Sequence, residues 1–159
     1  MTASAMVAIG LQLLSGAVSG VVPSQAAVAQ ECAVTAAPPG GEVGDAGVRV
    51  VLGWPNGEVV FRPGGPGFVT NDGALGMKFG WYRDVRGRLT IEGRRLDGDA
   101  PPLRSEVNSG YGDFGFQATY IIFPTPGCWE VTGRVADASV TFITRVVKIG
   151  DGPSWHRGR

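Results

Sequence analysis

The stretch "FGFQATYIIFPTPGCWEVTGRV", Phe114 to Val135, decides how the chain is read. Its first half alternates, with Phe116, Ala118, Tyr120 and Ile122 on one parity. After the turn signal Pro124–Gly127, Trp129, Val131 and Val135 oppose Glu130, Thr132 and Arg134. Alternation with period two is the mark of strands that bury one face, and a Pro-Gly turn between two such runs makes adjacent antiparallel strands. Working outward, Ser139–Ile149 is rich in β-branched residues at both ends. Upstream, Leu75–Arg83 alternates through Met77, Phe79 and Trp81, and "RLTIEGRRL" places Leu89 and Ile91 on one side. "VRVVLGW" (Val48–Trp54) and "EVVFR" (Glu58–Arg62) flank the turn signal Pro55–Gly57 and are expected to form a hairpin. The expectation is an all-β chain: one immunoglobulin-like antiparallel β-sandwich of about seven strands over residues 48–149. A small barrel is the competing architecture.

Composition agrees with that picture. The 159 residues include 26 Gly and 11 Pro, and 43% are hydrophobic, so the chain has both the turns and the apolar side chains for a many-stranded core. Lys+Arg and Asp+Glu are 14 each, a net charge of zero that gives no footprint for nucleic acid. No internal repeat or second domain is visible.

Residues 1–29 are a different material. No charged side chain precedes Glu31, and Met6–Val22 is apolar and rich in small residues. Ala27-Val28-Ala29 fits the small-x-small rule of signal-peptidase cleavage, which leaves Gln30 as the new N-terminus, and Ser24-Gln25-Ala26 is a second such site. The segment is therefore expected to be a signal peptide and the protein to be secreted or periplasmic. It lacks the usual Lys or Arg of an n-region, and if retained it would act as a membrane anchor. Residues 30–47 read as an irregular lead-in and 150–159 as a disordered polar tail.

Cys32 and Cys128 are the whole cysteine inventory. An even count in an oxidising compartment favours a disulfide, with a free buried thiol as the alternative. Metal ligation and thiol catalysis lack partners, because the single histidine, His156, falls in the tail.

"GYGDFG", Gly110–Gly115, has the spacing of a phosphate-cradling loop. A dinucleotide fingerprint needs a strand before it and a helix after it. Here a Pro-rich connection precedes and a strand follows, so no nucleotide or other cofactor is expected. Asp97-Gly98-Asp99 lacks the further ligands of a calcium loop. Arg94-Arg95 point to opposite faces of a strand, and Glu106 with Asp113 has no glycosidase context. Ser109-Gly110 is no nucleophile elbow. The aromatics carry more weight. Trp81 and Trp129 are expected in the core. Tyr82, Tyr111 and Phe114, at strand ends or in loops beside glycines, are the candidate ligand-binding residues.

"GRRLDGDAPPL", "FPTPGCWEVTG" and the "CAVT" at Cys32 resemble a group of uncharacterised exported bacterial proteins with an immunoglobulin-like domain, over residues 32–149. The resemblance implies a secreted sandwich with a bridged cysteine pair and brings no catalytic residues. The expected function is thus non-catalytic: a binding or structural module of the cell envelope engaging a protein partner. The alternatives are a carbohydrate-binding module and, further off, a hydrolase built on carboxylates.

Overall fold

The computed structural model describes residues 31–54 and 56–150, together with the backbone of His156 and Arg157. The expected signal peptide, 1–29, lies outside the described residues, as does most of the tail. Two β-sheets pack face to face, and no helix occurs among the described residues. The first sheet contains β1 (Glu42–Gly44), β2 (Val48–Val51), β4 (Phe68–Val69), β5 (Leu75–Arg83), β7 (Arg104–Val107), β8 (Gly115–Phe123) and β11 (His156–Arg157). The second has the order β3 (Glu58–Phe61), β10 (Ala138–Lys148), β9 (Gly127–Val135), β6 (Thr90–Arg95). The expected β-sandwich is the fold.

Each sheet grows from a long pair whose alternation is visible in the sequence. In the first, β5 runs antiparallel to β8 with Trp81 opposite Gln117 and Lys78 opposite Tyr120. In the second, β9 and β10 form a hairpin with Val131 opposite Phe142. Inward-facing Met77, Phe79, Trp81, Ile121 and Phe123 meet Trp129, Val131, Phe142 and Val146 between the layers, all at most 2% exposed. Aromatic edges interlock there, with Phe79–Phe142 centroids at 5.8 Å and Phe123–Trp129 at 5.7 Å.

Two expectations need correction. Val48–Trp54 and Glu58–Arg62 do not form a hairpin. Both edges of β2 are occupied, by β1 and β5, whereas β3 lies parallel to β10 in the other layer. Between them the chain crosses the sandwich, and Gly57 anchors the crossing: its carbonyl accepts the Arg145 amide (3.0 Å) and the Thr144 hydroxyl (2.9 Å). The sandwich therefore has a parallel ladder within an otherwise largely antiparallel framework. The second correction concerns parity on β8. The side facing the core is Gln117, Thr119, Ile121 and Phe123, so Phe116 and Tyr120 stand on the outer face, Phe116 being 45% exposed.

The lead-in is more ordered than its composition suggests. Thr35 exchanges two hydrogen bonds with Ile143 of β10, and Cys32 is bridged to Cys128 at the start of β9, Cα–Cα 5.5 Å. The lead-in also supplies β1. At the other end, His156–Arg157 pairs parallel with β4.

Between the layers, the Trp81 indole lies directly on Gly133. A Cβ at Gly133 would sit 2.3 Å from the indole Cζ3, nearer than real carbon atoms come. Strand propensity alone favours Ala over Gly by about 0.5–1 kcal/mol, but overpacking a close-packed core costs about 1–3 kcal/mol. A methyl here would also drive the indole away from Thr119, whose hydroxyl accepts its Nε1–H at 3.0 Å. Gly133→Ala is accordingly expected to destabilise by about 2 kcal/mol, read as a lower urea midpoint. Trp81→Phe should recover part of that loss, and a G133A protein as stable as the parent would refute the contact.

Candidate functional site

The outer face of the first sheet carries an aromatic groove that follows from the corrected parity. Tyr82 and Phe116 are opposite one another across the β5–β8 ladder, and both point away from the core. Their rings meet at 5.4 Å and 60°. Tyr111, from the loop before β8, closes on the far side of Phe116 at 6.3 Å and 69°. Gly80 is what lets Phe116 lie down on the sheet, because a Cβ there would come within 2.9 Å of the ring. Further along, the Phe68 ring covers Gly76 and meets Tyr120 at 5.3 Å. Val51, Trp54, Lys78, Gly80, Tyr82 and Phe116 enclose a groove of about 400 Å³.

Charge is arranged around this face. Arg49 of β2 stands over Tyr82, 5.2 Å from the ring centroid, and is held by Asp84 at 3.0 Å and by Glu42. The Asp84 hydrogen bond keeps its guanidinium above the ordinary arginine pKa. Lys78 is exposed within the groove, and no ion pair of Lys78 occurs among the described residues.

Of the three aromatics expected to bind ligand, the structure brings Tyr82 and Tyr111 together through Phe116. Phe114 is 54% exposed and packs elsewhere, beneath the Arg86 guanidinium at 6.0 Å. Phe116, Trp54 and Lys78 were not singled out by sequence. Phe116 had a signal: it shares a parity with Tyr120, opposite to the parity of the interior residues.

The glycine loop has a different role from the one its spacing suggests. All five hydrogens of the Arg83 guanidinium donate to backbone carbonyls. Gly112 is at 3.0 Å, Tyr111 at 3.1 Å, Gly87 at 3.2 Å, and Phe114 and Gly115 at 3.4 Å. A phosphate loop presents amide N–H groups to an anion. Gly110–Gly115 instead presents carbonyls to a cation, and Arg83 is only 1% exposed.

The carboxylates considered for catalysis are separate and largely engaged. Asp113 pairs with Arg86 at 2.8 Å and Asp97 with Arg95 at 2.7 Å, while Glu106 lies on β7 opposite Tyr120. Burial pushes the Asp97 carboxyl up, but the Arg95 hydrogen bond and the Cys128 amide outweigh it and hold it below the ordinary range. Arg94 pairs with Glu130 rather than sharing a site with Arg95. No group of three metal-ligating side chains occurs among the described residues, and no helix there is long and apolar enough to cross a membrane.

Beside the Arg83 cage, a recess of about 260 Å³ opens at the end of the sandwich, lined by Leu89, Val107, Asn108, Ser109, Asp113 and Gln117 among others. The Gln117 side chain is buried. Its Nε2 donates to the Asn108 carbonyl at 2.9 Å, and its Oε1 has no hydrogen-bond partner. A buried acceptor left in that state costs about 1–3 kcal/mol.

No family model matches this chain, and no curated protein or solved structure does.

Proposed function

We propose that the protein is a secreted or periplasmic, disulfide-stabilised binding module of the cell envelope that engages a protein partner and performs no catalysis. The exported character rests on the apolar, uncharged first thirty residues with their cleavage motif, on the bridged Cys32–Cys128 pair, and on the likeness to exported bacterial sandwich proteins. The observation that carries the binding role is the groove on the outer sheet face. Tyr, Trp and Phe beside a cation are the side chains that dominate protein interfaces, because they bury large area at little entropic cost. The partner's chemistry follows from the groove: an apolar or aromatic anchor seated between Trp54 and Phe116, with a carboxylate to meet Lys78.

A glycan platform made of Tyr82, Tyr111 and Phe114 is less well supported. Phe114 is apart from the other two, beneath Arg86, and Tyr82 and Tyr111 are joined only through the Phe116 ring that stands between them at 60° and 69°.

Panning the disulfide-bonded protein against a random peptide library is expected to enrich peptides that combine an apolar anchor with Asp or Glu. Phe116→Asp and Lys78→Glu should each weaken a selected peptide at least tenfold. Exchanging the peptide's acid for Lys should restore binding to K78E alone. Lys78 is exposed and Phe116 is on the outer face of the sheet, so neither substitution enters the core. Failure to enrich any motif, or peptides indifferent to both substitutions, would remove the docking reading.

A further inference from the structure

One edge of β5 is interrupted. On that side β2 pairs as far as Val51 opposite Gly80, and β4 begins at Phe68 opposite Gly76, so Met77, Lys78 and Phe79 have a strand partner only on the β8 side. We infer that the protein partner fills this gap with an extended peptide segment, one residue of which exchanges two main-chain hydrogen bonds with Lys78. The inference rests on the docking role proposed above and names the form in which the partner arrives.

The direction of the Lys78 backbone follows from alternation. Successive residues of a strand turn their N–H and C=O to opposite edges. The Asp84 amide donates to the Gly47 carbonyl, on the β2 side. The β5–β8 register is unbroken from Leu75 to Arg83, so Tyr82, Gly80, Lys78 and Gly76 turn the same way as Asp84. Tyr82 and Gly80 meet Arg49 and Val51 there, and Gly76 meets Phe68. Lys78 meets no strand, and its amide and carbonyl make no hydrogen bond to another backbone group on that side among the described residues.

The gap opens onto the aromatic groove. Val51, Gly53 and Trp54, where the chain leaves β2 to cross the sandwich, and Lys78, Phe79 and Gly80 of β5 line the same space of about 400 Å³. No atom lies within 4 Å of where a Cβ on Gly53 would project, so the departing chain does not close the gap at that point.

The free groups select the ligand. An N–H and a C=O side by side ask for an acceptor and a donor at the spacing of one peptide residue. A carboxylate brings no donor, and a helix has committed its own groups internally. An extended residue brings both, as in strand addition to a sheet edge. Antiparallel pairing closes both bonds on that one residue, which suits the four residue steps, about 13 Å, between Gly76 and Gly80. Paired residues share a face, so the apolar anchor stands beside Lys78 on the outer face, toward Trp54 and Phe116. Its two neighbours turn inward, where Met77 and Phe79 are 2% and 1% exposed, and must be small, Gly or Ala.

The test uses the disulfide-bonded protein and a synthetic, end-blocked copy of an anchor-and-acid peptide enriched in the panning. In the free protein the Lys78 amide should exchange with solvent at least tenfold faster than that of Phe79, and saturation with peptide should slow it at least tenfold. N-methylation of the anchor residue should weaken binding at least tenfold, while N-methylation one residue further on should change it less than threefold. Enriched sequences should carry Gly or Ala on both sides of the anchor. A peptide that depends on Phe116 and Lys78 yet tolerates both methylations, with Lys78 still exchanging fast, overturns the main-chain pairing and leaves the docking role standing. No enriched peptide at all removes both. A Lys78 amide already protected in the free protein means that the chain or a second copy fills the gap, and overturns the inference as well.

Discussion

Arg83→Met should cost the domain about 3–5 kcal/mol and release residues 110–115 from the sheet. Taking a guanidinium out of water costs several kcal/mol unless its donors are all matched. Here they are matched by five carbonyls, four of them from the one loop. Hydrogen bonds to a charged group contribute about 1.5–3 kcal/mol each, and two of these are long at 3.4 Å. Methionine keeps the apolar stem but removes every donor. The Gly87, Tyr111, Gly112, Phe114 and Gly115 carbonyls are then left facing an apolar side chain, which disfavours the caged loop relative to a hydrated one. Arg83→Lys keeps the charge and three donors without the planar fork, so it should fall between the two. Urea melts should rank Arg above Lys above Met, and amide exchange should accelerate first in residues 110–115. If R83M melts like the parent, the cage does not hold the loop.

Arg83 also shows what the sequence makes legible. The alternation of Met77, Phe79 and Trp81, extended by one step, puts Arg83 on the inward parity. The same rule on β8 puts Gln117 inside and Phe116 outside. The long strands and the tryptophan core were readable because their alternation is apolar against polar. The β8 parity was harder to read because large apolar residues occupy both faces. Ile121 and Phe123 are inside, while Phe116 is outside against Gly80 of β5 and Tyr120 is outside against Phe68. The short strands left no such signal. Arg104–Val107 has three polar residues of four and two of them exposed, Phe68–Val69 is two residues long, and Glu42–Gly44 sits in a Gly-rich lead-in. The crossover at Gly57 was invisible for another reason. A Pro-Asn-Gly turn is compatible with a hairpin, and only the occupation of both edges of β2 excludes one. The groove inherits both gaps, since it needs the outer parity of β8 and the path of Trp54 beyond β2.

Removing the Cys32–Cys128 bridge is the other large effect, about 4–5 kcal/mol for the paired Cys→Ser variant. The half-cystines are 96 residues apart, and in the chain-entropy picture releasing a loop near 100 residues long lowers stability by roughly 4.7 kcal/mol. What the bridge holds in the native state sharpens the expectation. The lead-in touches the second sheet through the two Thr35–Ile143 hydrogen bonds and through Val34 packed over Gly57. Those contacts contribute about 1 kcal/mol apiece, which by itself is comparable to the cost of ordering two or three residues. Without the bridge, the stretch of the lead-in ahead of β1 should therefore detach before the sandwich unfolds, while β1 stays paired with β2. Detachment uncovers the β10 edge at Ile143 and the Cα of Gly57 beneath Val34. The paired serine variant should accordingly show a lower melting temperature together with fast amide exchange at Thr35 and Ile143, while Val131 and Ile121 exchange only with global unfolding. Dithiothreitol should bring the parent protein to the same state. Loss of stability with Thr35 and Ile143 still protected would mean that the bridge acts on the unfolded chain alone; an unchanged melting temperature would mean that the native contacts of the lead-in suffice without it.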